Sequence, residues 1–154
     1  MIRAWHILKS KHALHALDGE GSRLHGGRWN SPGVRMVYAS QSLELAVLEI
    51  LVHLQTVHPL AAYVVYTLEF DASLLADLSE ELPGHWRDFP APVPLQQIGD
   101  RWIAERTSVV LEVPSAVLPS ESNYLFNPEH NEFQRVNCLG PTKLDLDPRL
   151  FGRR

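Results

Sequence analysis

The stretch GGRWNSPGVRMVYAS, residues 26–40, places two glycines and an arginine directly before an apolar run. Glycine permits backbone conformations closed to other residues and lets a ligand approach peptide N–H groups closely. The guanidinium of Arg28 supplies a planar fork that matches phosphate or carboxylate. The pattern predicts an anion site. A plain turn with Arg28 in a structural ion pair fits the same residues, because the motif is neither a P-loop nor a GxGxxG loop.

The charge around this stretch is locally positive although the whole chain is acidic. Between Ser22 and Leu43 lie Arg23, Arg28 and Arg35 and no acidic residue. The full chain of 154 residues carries 14 basic and 18 acidic side chains, a formal charge of -4. Such a balance argues against a large non-specific nucleic-acid surface. The glycine-arginine stretch therefore lies in a segment of locally positive charge.

A helix carrying an acidic residue is predicted after the strand VRMVYAS, residues 34–40. It runs from about residue 42 to residue 55, with Ser40 or Ser42 as its cap. Aliphatic residues cover two opposite faces of this helix, so we expect it to be mostly buried. Glu49 and His53 lie on the narrow stripe that remains. A carboxylate with so little solvent face needs a partner, which is either an internal arginine or a ligand in a cleft.

Strands and helices are mixed along the chain without regular alternation, which indicates the α+β class rather than a doubly wound sheet. No repeat or break in composition marks a second domain, so residues 1–154 are expected to form one domain. The segments predicted as strands are 2–8, 34–40, 61–70, 108–113, 123–130 and 142–147, and those predicted as helices are 11–17, 42–55 and 95–106.

Composition and motif searches exclude several classes of protein. The single Cys138 cannot form an intrachain disulfide, and the N-terminus lacks an export signal, so we expect a cytoplasmic protein. The apolar runs are shorter than the roughly 20 residues that span a membrane, so no membrane insertion is expected. His12 and His15 lie three apart without further ligands nearby, and no HExxH motif occurs. We therefore expect no metal site.

Several candidate site residues admit a structural interpretation as well as a functional one. Trp29 and Tyr38 offer flat faces for an aromatic ligand, but aromatic residues in and beside strands are more often core residues. Ser115 lacks the GxSxG setting of a hydrolase nucleophile, which leaves a hydrogen-bond donor or a cap or turn residue. Asn123 and Asn127 lie in a loop cluster, where amides usually satisfy local backbone groups.

Four motifs occur in a fixed order along the chain: GGRWN, VYAS, LAVLEIL and LEVPSAVLPSESNYLFNPEH. Together they resemble the RES domain family, named for an arginine, a glutamate and a serine, over roughly residues 3 to 150. The resemblance places these three residues at Arg28, Glu49 and Ser115, and the motif tyrosine at Tyr38. It implies an α+β fold like that of the ADP-ribosyltransferases, with a central, partly split β-sheet flanked by helices.

The resemblance also implies an activity and a partner. Family members are toxins of bacterial toxin–antitoxin pairs that consume NAD⁺, some as phosphorylases, others described as glycohydrolases or protein ADP-ribosylating enzymes. We therefore expect phosphorolysis or hydrolysis of the nicotinamide–ribose bond, with NAD⁺ as substrate rather than cofactor and inorganic phosphate as a candidate co-substrate. The expected partner is an antitoxin with an Xre-like helix-turn-helix region that blocks the active site, in a complex that can contain a toxin homodimer.

The chemistry of NAD⁺ suits the residues that the motifs bring forward. A diphosphate attracts guanidinium and bare N–H groups, and bond cleavage builds an oxocarbenium-like charge that a fixed carboxylate stabilises. We expect Glu49 to stabilise this charge, Arg28 to hold the phosphate or adjacent ribose, Tyr38 to pack on nicotinamide and Ser115 to hydrogen-bond the ribose or amide. The further residues expected to bind substrate are Gly27, Trp29, Asn30, His53, Asn123 and Asn127.

Two other functions fit the same residues. A non-enzymatic nucleotide-binding or partner-binding module would use Arg28 and the glycines to grip a phosphate, with Glu49 as a buried ion-pair residue. Modification of a protein target would use the same cleavage but end on a side chain. Incubation with NAD⁺, with and without phosphate or cell extract, separates these functions through nicotinamide release and mass added to a target.

Overall fold

The computed structural model of the chain describes residues 1–53 and 62–151. Within these residues the chain forms seven strands and three α-helices, with four short 3₁₀ helices between them. The strands are β1 Ile2–Lys9, β2 Val37–Ser40, β3 Tyr63–Phe70, β4 Leu75–Asp77, β5 Val110–Pro114, β6 Ser122–Phe126 and β7 Asn137–Leu144, and the helices are α1 Glu20–His25, α2 Leu43–His53 and α3 Val93–Glu105.

Helix α1 and strand β4 have no predicted counterpart, and the predicted elements differ from the observed ones mainly at their ends. The segment predicted as a helix at 11–17 forms a 3₁₀ helix, Ser10–His15. The last predicted strand belongs to β7, which begins five residues earlier, at Asn137. The predicted residues 54 and 55 of α2, and residue 61 of β3, lie outside the described residues.

All seven strands form one mixed sheet, in the order β4-β5-β6-β2-β1-β3-β7. The β4–β5 pair is parallel and the other neighbours are antiparallel. Only the β4–β5 pair, whose strands flank α3 in the chain, forms such a parallel unit, and the rest of the sheet is antiparallel. The fold is therefore α+β, and the predicted class is confirmed.

The sheet is partly split between β1 and β2. Within the described chain these strands pair at one position, Trp5 with Ser40, whereas β1 pairs with β3 along eight positions. On the same stretch, Nδ1 of His6 lies 2.7 Å from the carbonyl oxygen of Tyr38. The strands therefore meet at a narrow junction and diverge beyond it, which leaves room for a cavity between the two halves of the sheet.

Two hydrophobic clusters pack on the two faces of the sheet, because alternate strand residues point to opposite sides. On one face Leu111 and Leu125 pack against α3, whose Leu95, Ile98 and Trp102 are buried. On the other face the rings of Phe70, Tyr124 and Phe126 pack edge to face, with centroids 5.5 to 5.6 Å apart. The resulting core fixes the ends of β2 and β6, from which several site residues project.

The expectation that α2 is mostly buried is wrong. Leu45 and Ala46 are buried against the sheet, and α2 contacts β1 and β2. On its outer side Leu48 is 39% exposed and Val52 is 58% exposed. The helix packs on the sheet along the side that carries Leu45 and Ala46, and none of the described segments covers Leu48 and Val52. Ser42 rather than Ser40 caps it, with its Oγ accepting the Leu45 N–H at 3.1 Å.

Two expected absences concern membranes and metals. Among the described residues, none of the helices combines the length and apolar character needed to cross a bilayer. In the same part of the chain, no cluster of three or more histidine, cysteine or acidic side chains is placed to hold a metal ion.

Candidate active site

A cavity of about 710 Å³ opens where β1 and β2 diverge. This volume lies within the range of about 300–1,000 Å³ typical of small-molecule sites. The residues that define its walls are Trp5 and Ile7 of β1, Gly21, Ser22 and His25 of α1, Gly26–Trp29, Tyr38–Ser40 of β2, Ala46, Glu49, Ile50 and His53 of α2, Phe89–Ala91, Gln96 of α3, Pro114, Ala116 and Asn123.

The glycine loop, residues 26–30, forms one wall of the cavity and closes on itself. Gly26 has a φ of 71°, in the region that favours glycine, and its N–H donates to the carbonyl of Ser22 at 2.8 Å. The N–H of Gly27 donates to the carbonyl of Asn30 at 2.9 Å. Both N–H groups are thus used inside the protein. The expectation that they stay bare for an anion is wrong, and the loop contributes the Arg28 side chain instead.

Hydrogen bonds of the Tyr38 hydroxyl and the Asn30 side chain hold the glycine loop in place. The Tyr38 hydroxyl accepts the Trp29 N–H at 3.0 Å and donates to Asn30 Oδ1 at 2.6 Å. A Cβ on Gly27 would lie 2.7 Å from that hydroxyl oxygen, which explains the glycine there. Burial raises the pKa of Tyr38, so the phenol remains neutral. The ring lines the cavity, while the hydroxyl positions the loop.

Asn30 and Trp29 are structural residues, in contrast to their expected contact with substrate. Asn30 is fully buried, and its Nδ2 donates to the carbonyls of Ser22 at 2.9 Å and Val34 at 3.0 Å. Trp29 is 2% exposed and packs in the cluster under α3. Its ring therefore has little face left for stacking, and the core interpretation of this tryptophan is correct.

Three residues of α3 fix the same loop, and sequence reasoning missed all of them. Gln96 Nε2 donates to the carbonyl of Gly27 at 3.0 Å, and Asp100 Oδ1 accepts the Ser31 N–H at 2.9 Å. A Cβ on Gly99 would lie 1.7 Å from the carbonyl oxygen of Trp29, so only glycine lets the loop approach the helix. Their i, i+3, i+4 spacing marks one helix face, but nothing local identifies the loop as its partner.

Arg28 projects from the glycine loop toward a strap, defined here as residues 83–92. Its Nη1 donates to the carbonyls of Trp86 at 2.8 Å and Asp88 at 3.0 Å. Desolvation lowers the pKa of Arg28, and the negative charge of Glu49 opposes that shift. Arg28 is in no ion pair with any carboxylate of the described chain. Its charge is therefore available to a ligand in the cavity.

Glu49 lies on α2 on the opposite wall. Its Oε1 accepts two hydrogen bonds, from Ser115 Oγ at 2.7 Å and from Asn123 Nδ2 at 2.7 Å. Within residues 1–53 and 62–151 no lysine or arginine forms an ion pair with it. The interpretation of Glu49 as a residue neutralised by an internal arginine therefore does not fit. A half-buried carboxylate with neutral partners and a cavity in front of it can stabilise a cation.

Ser115 acts on Glu49 and not directly on the cavity. Its side chain is fully buried, and Oγ accepts the N–H groups of Val117 at 3.1 Å and Leu118 at 3.0 Å. A serine hydroxyl has two lone pairs and one hydrogen, so the hydrogen is left for Glu49. Ser115 is both the turn residue and the hydrogen-bond donor that its sequence context predicts. The expected direct bond from Ser115 to the ribose or amide is replaced by this contact.

Asn123 lines the cavity and continues the same network. Its Oδ1 accepts the Ser40 hydroxyl at 2.7 Å, while Nδ2 donates to Glu49. Ser40 is 4% exposed and lies at the junction of β1 and β2. Sequence reasoning considered Ser40 only as a helix cap and missed this role. The chain from Ser40 through Asn123 fixes which amide group faces the carboxylate.

Two expected site residues remain, His53 and Asn127, and only His53 lies at the cavity. His53 is exposed at the mouth of the cavity, where its ring centroid is 6.2 Å from that of Phe89. Asn127 is fully buried and is not among the cavity residues. Its Nδ2 donates to the carbonyl of Ile103 at 3.2 Å and its Oδ1 accepts the Glu129 N–H at 3.0 Å. Contact of Asn127 with substrate is therefore wrong, because both its polar ends serve the backbone.

Comparisons with known proteins show what the chain is similar to. The chain is 34% identical to "Toxin Res" of Yersinia enterocolitica, over 95% of this chain and 97% of that protein. It is 35% identical to a "Prs ADP-ribosylating toxin" of Sphingobium, over 96% of this chain and 95% of that protein. The crystal structure of the M. tuberculosis MbcT–MbcA toxin–antitoxin complex has a similar chain, with a TM-score of 0.77 at 19% identity, over 97% of this chain and 86% of that one.

That structural likeness confirms the ADP-ribosyltransferase-like α+β fold. The sequence model of the RES domain matches residues 3–147, nearly the range over which the motif resemblance extends. The arginine, glutamate and serine of the motifs meet around one cavity, with Ser115 bound to Glu49 and Arg28 on the facing wall. This protein belongs to the RES domain family.

Proposed function

We propose that this protein is the toxin of a bacterial toxin–antitoxin pair and that its cavity cleaves the nicotinamide–ribose bond of NAD⁺. One observation carries the proposal. The Glu49 carboxylate is held by two hydrogen bonds, has no cationic partner in the described chain, and faces the same cavity as the guanidinium of Arg28. A carboxylate and a guanidinium that face one cavity without neutralising each other suit a particular kind of ligand. Such a ligand is anionic at one end and develops positive charge at the other during the reaction.

Glu49 would act at the cationic end. When the bond between nicotinamide and ribose breaks, its electron pair leaves with neutral nicotinamide and the ribose carbon becomes positively charged. A carboxylate fixed in advance stabilises this oxocarbenium-like state more than the substrate, which is the condition for rate acceleration. The two donors at 2.7 Å remove the need to reorganise the carboxylate during the reaction.

Arg28 would bind the anionic end, the diphosphate or the ribose beside it. Nη1 is occupied by two backbone carbonyls, so the donors at Nε and Nη2 would be the ones to bind the ligand. The bracing of residues 27–31 by Tyr38, Gln96 and Asp100 fixes where this guanidinium points. Tyr38 offers its ring to nicotinamide from the cavity floor. Inorganic phosphate or water would then capture the ribose cation, giving ADP-ribose 1″-phosphate or ADP-ribose.

The relatives support the toxin assignment and a protein partner. Two are named toxins, and the structural neighbour was solved as a toxin–antitoxin complex. We propose that this chain likewise binds an antitoxin, one with an Xre-like helix-turn-helix region, which blocks the cavity. Its substrate would be the NAD⁺ pool of the cytoplasm.

Transfer of ADP-ribose to a protein is the second candidate function. It is favoured by the name of the Sphingobium relative, "Prs ADP-ribosylating toxin". The chemistry needs no different residues, because a side chain of the target would take the place of water at the ribose cation. The exposed rings of Phe89 and His53 at the cavity mouth would then contact the target protein.

The test is release of nicotinamide from NAD⁺ by the purified chain, with and without phosphate, alongside Glu49→Gln as the matched control. Multiple turnovers by the wild type and a large loss in the variant support NAD⁺ cleavage. Label transfer from tagged NAD⁺ to one protein in an extract, without bulk NAD⁺ loss, supports the second candidate. Absence of both reactions with folded protein leaves a nucleotide-binding module.

A further inference from the structure

Eight of the nine arginines in the described residues bind other groups of the protein through their guanidiniums, in two ways. Most of those in the described residues are neutralised by aspartate or glutamate. Arg28 and Arg87 are bound instead to backbone carbonyls, and no ion pair to either occurs in residues 1–53 and 62–151. Those in ion pairs are Arg3, Arg23, Arg35, Arg101, Arg135 and Arg149.

Arg28 binds backbone carbonyls of the strap, and Arg87, which is a residue of the strap, binds the carbonyl of Ala116. The carbonyls of Trp86 and Asp88, on either side of Arg87, accept from Arg28. Arg87 Nε in turn donates to the carbonyl of Ala116 at 2.9 Å. Phe89, Pro90 and Ala91 of the strap line the cavity. Arg28 lines the cavity, whereas Arg87 is exposed, is not among the lining residues and is joined to the cavity wall through its hydrogen bond to Ala116.

Arg87 is anchored on the wall that holds the catalytic acid. Ala116 lines the cavity and directly follows Ser115, whose hydroxyl donates to Glu49. Only Nε of Arg87 is occupied among the described residues, so the four N–H bonds of its two terminal nitrogens remain for a ligand. When Nε of an arginine is held by a hydrogen bond, the two terminal nitrogens lie in one plane and can bind two oxygens of a tetrahedral oxyanion.

We propose that Arg87 binds the inorganic phosphate that captures the ribose cation, in a subsite separate from that of the NAD⁺ diphosphate. This proposal rests on the proposed function. A phosphate dianion entering beside Glu49 is repelled by the carboxylate, so a positive charge on that wall is needed to offset the repulsion. Arg28 faces the cavity from the glycine loop and is assigned to the dinucleotide. Arg87 supplies a second, independent cation.

The capture step balances without any further reactant. The C1″–N bond of NAD⁺ breaks and its electron pair goes to nicotinamide, which leaves neutral. A lone pair on one oxygen of hydrogen phosphate forms the new C1″–O bond, and the phosphate proton passes to solvent. Water competes for the same carbon and gives ADP-ribose. Arg87 would therefore control the ratio of the two products.

The ratio of ADP-ribose 1″-phosphate to ADP-ribose tests the proposal directly. It is measured by chromatography across a phosphate titration for the wild type, Arg87→Gln and the matched control Arg135→Gln, which removes an exposed arginine ion-paired with Glu132. Loss of a charge-assisted hydrogen bond predicts a ~10–100-fold lower ratio for Arg87→Gln at equal phosphate. Arg87→Lys keeps the charge without the fork and should give an intermediate ratio. Arg135→Gln should match the wild type.

A general loss of activity does not imitate this result, because it lowers both products together. An unchanged ratio in Arg87→Gln overturns the proposal, and so does a wild type that forms only ADP-ribose at every phosphate concentration. In both cases NAD⁺ cleavage itself stands. If no nicotinamide is released, the proposed function fails. Thermal unfolding in phosphate then decides whether Arg87 binds phosphate. Phosphate should then stabilise the wild type and Arg135→Gln but not Arg87→Gln, and equal stabilisation of all three refutes the site.

Discussion

Replacement of Glu49 by glutamine should remove catalysis while leaving the fold intact. The amide oxygen of glutamine can accept the same two hydrogen bonds, from Ser115 Oγ and Asn123 Nδ2, that the carboxylate accepts at 2.7 Å. The geometry of α2 and of the β5–β6 loop is therefore expected to survive. What disappears is the negative charge, and with it the electrostatic stabilisation of the ribose cation.

Two independent estimates give the size of the effect. Removal of one preorganised group of this kind commonly costs about 10²–10³ in rate, or about 2.7–4 kcal/mol. A unit charge pair at about 4 Å interacts by about 4 kcal/mol at an effective dielectric constant near 20. Both values predict a kcat for Glu49→Gln between about a hundredth and a thousandth of the wild-type value.

The assay is nicotinamide release at saturating NAD⁺, with thermal unfolding of the same samples. We expect the KM for NAD⁺ to change little, because the charge acts mainly in the transition state. A folded variant that retains more than a tenth of the wild-type kcat would refute the electrostatic role of Glu49. Loss of activity accompanied by unfolding would show that this carboxylate is structural.

Three further variants test the scaffold. Ser115→Ala removes the hydroxyl that donates to Glu49 and accepts two backbone N–H groups, so it should lower both kcat and the free energy of unfolding. The expected loss of unfolding free energy, measured by chemical denaturation, is about 1–3 kcal/mol. An unchanged value would contradict the network. Gly99→Ala forces the carbonyl of Trp29 away and should cost about 1–3 kcal/mol and reduce activity, whereas Gly84→Ala, with no atom within 4 Å, should not. The hydrogen bond from Arg23 lowers the pKa of Glu20 to about 2. The ionised Glu20 carboxylate therefore contributes fully to stability above pH ~4.5, and this contribution is lost as the pH falls toward 2. The melting temperatures of wild type and Glu20→Gln should thus differ at pH 6 and converge in acid, and a constant gap would show that the ionised carboxylate is not responsible.

Local patterns in the sequence predicted the parts of the site that depend on neighbouring residues. The glycine-arginine loop, the strand that contains Tyr38 and the helix that carries Glu49 all follow from turn propensity and from strand and helix periodicity. Periodicity records which residues are apolar but not whether another segment covers them. For this reason α2 was expected to be buried on both faces, although Leu48 and Val52 lie exposed.

Contacts between distant segments decided what each side chain does. Ser115 and Glu49 are 66 positions apart, and Arg28 and Trp86 are 58 positions apart. No local propensity specifies such pairs, because they form only when the split sheet brings β2, α2 and the β5–β6 loop together. The same packing placed Trp29 in the core, since α3 covers it.

The sequence by itself determined the α+β class and the residue types available for an anionic ligand and a developing cation. Tertiary structure alone decided that Ser115 and Asn123 orient the carboxylate and that Asn30 and Asn127 serve the backbone. The physical reason is that a buried polar group must find a partner wherever the fold places one, and that partner is set by three-dimensional proximity rather than by sequence distance.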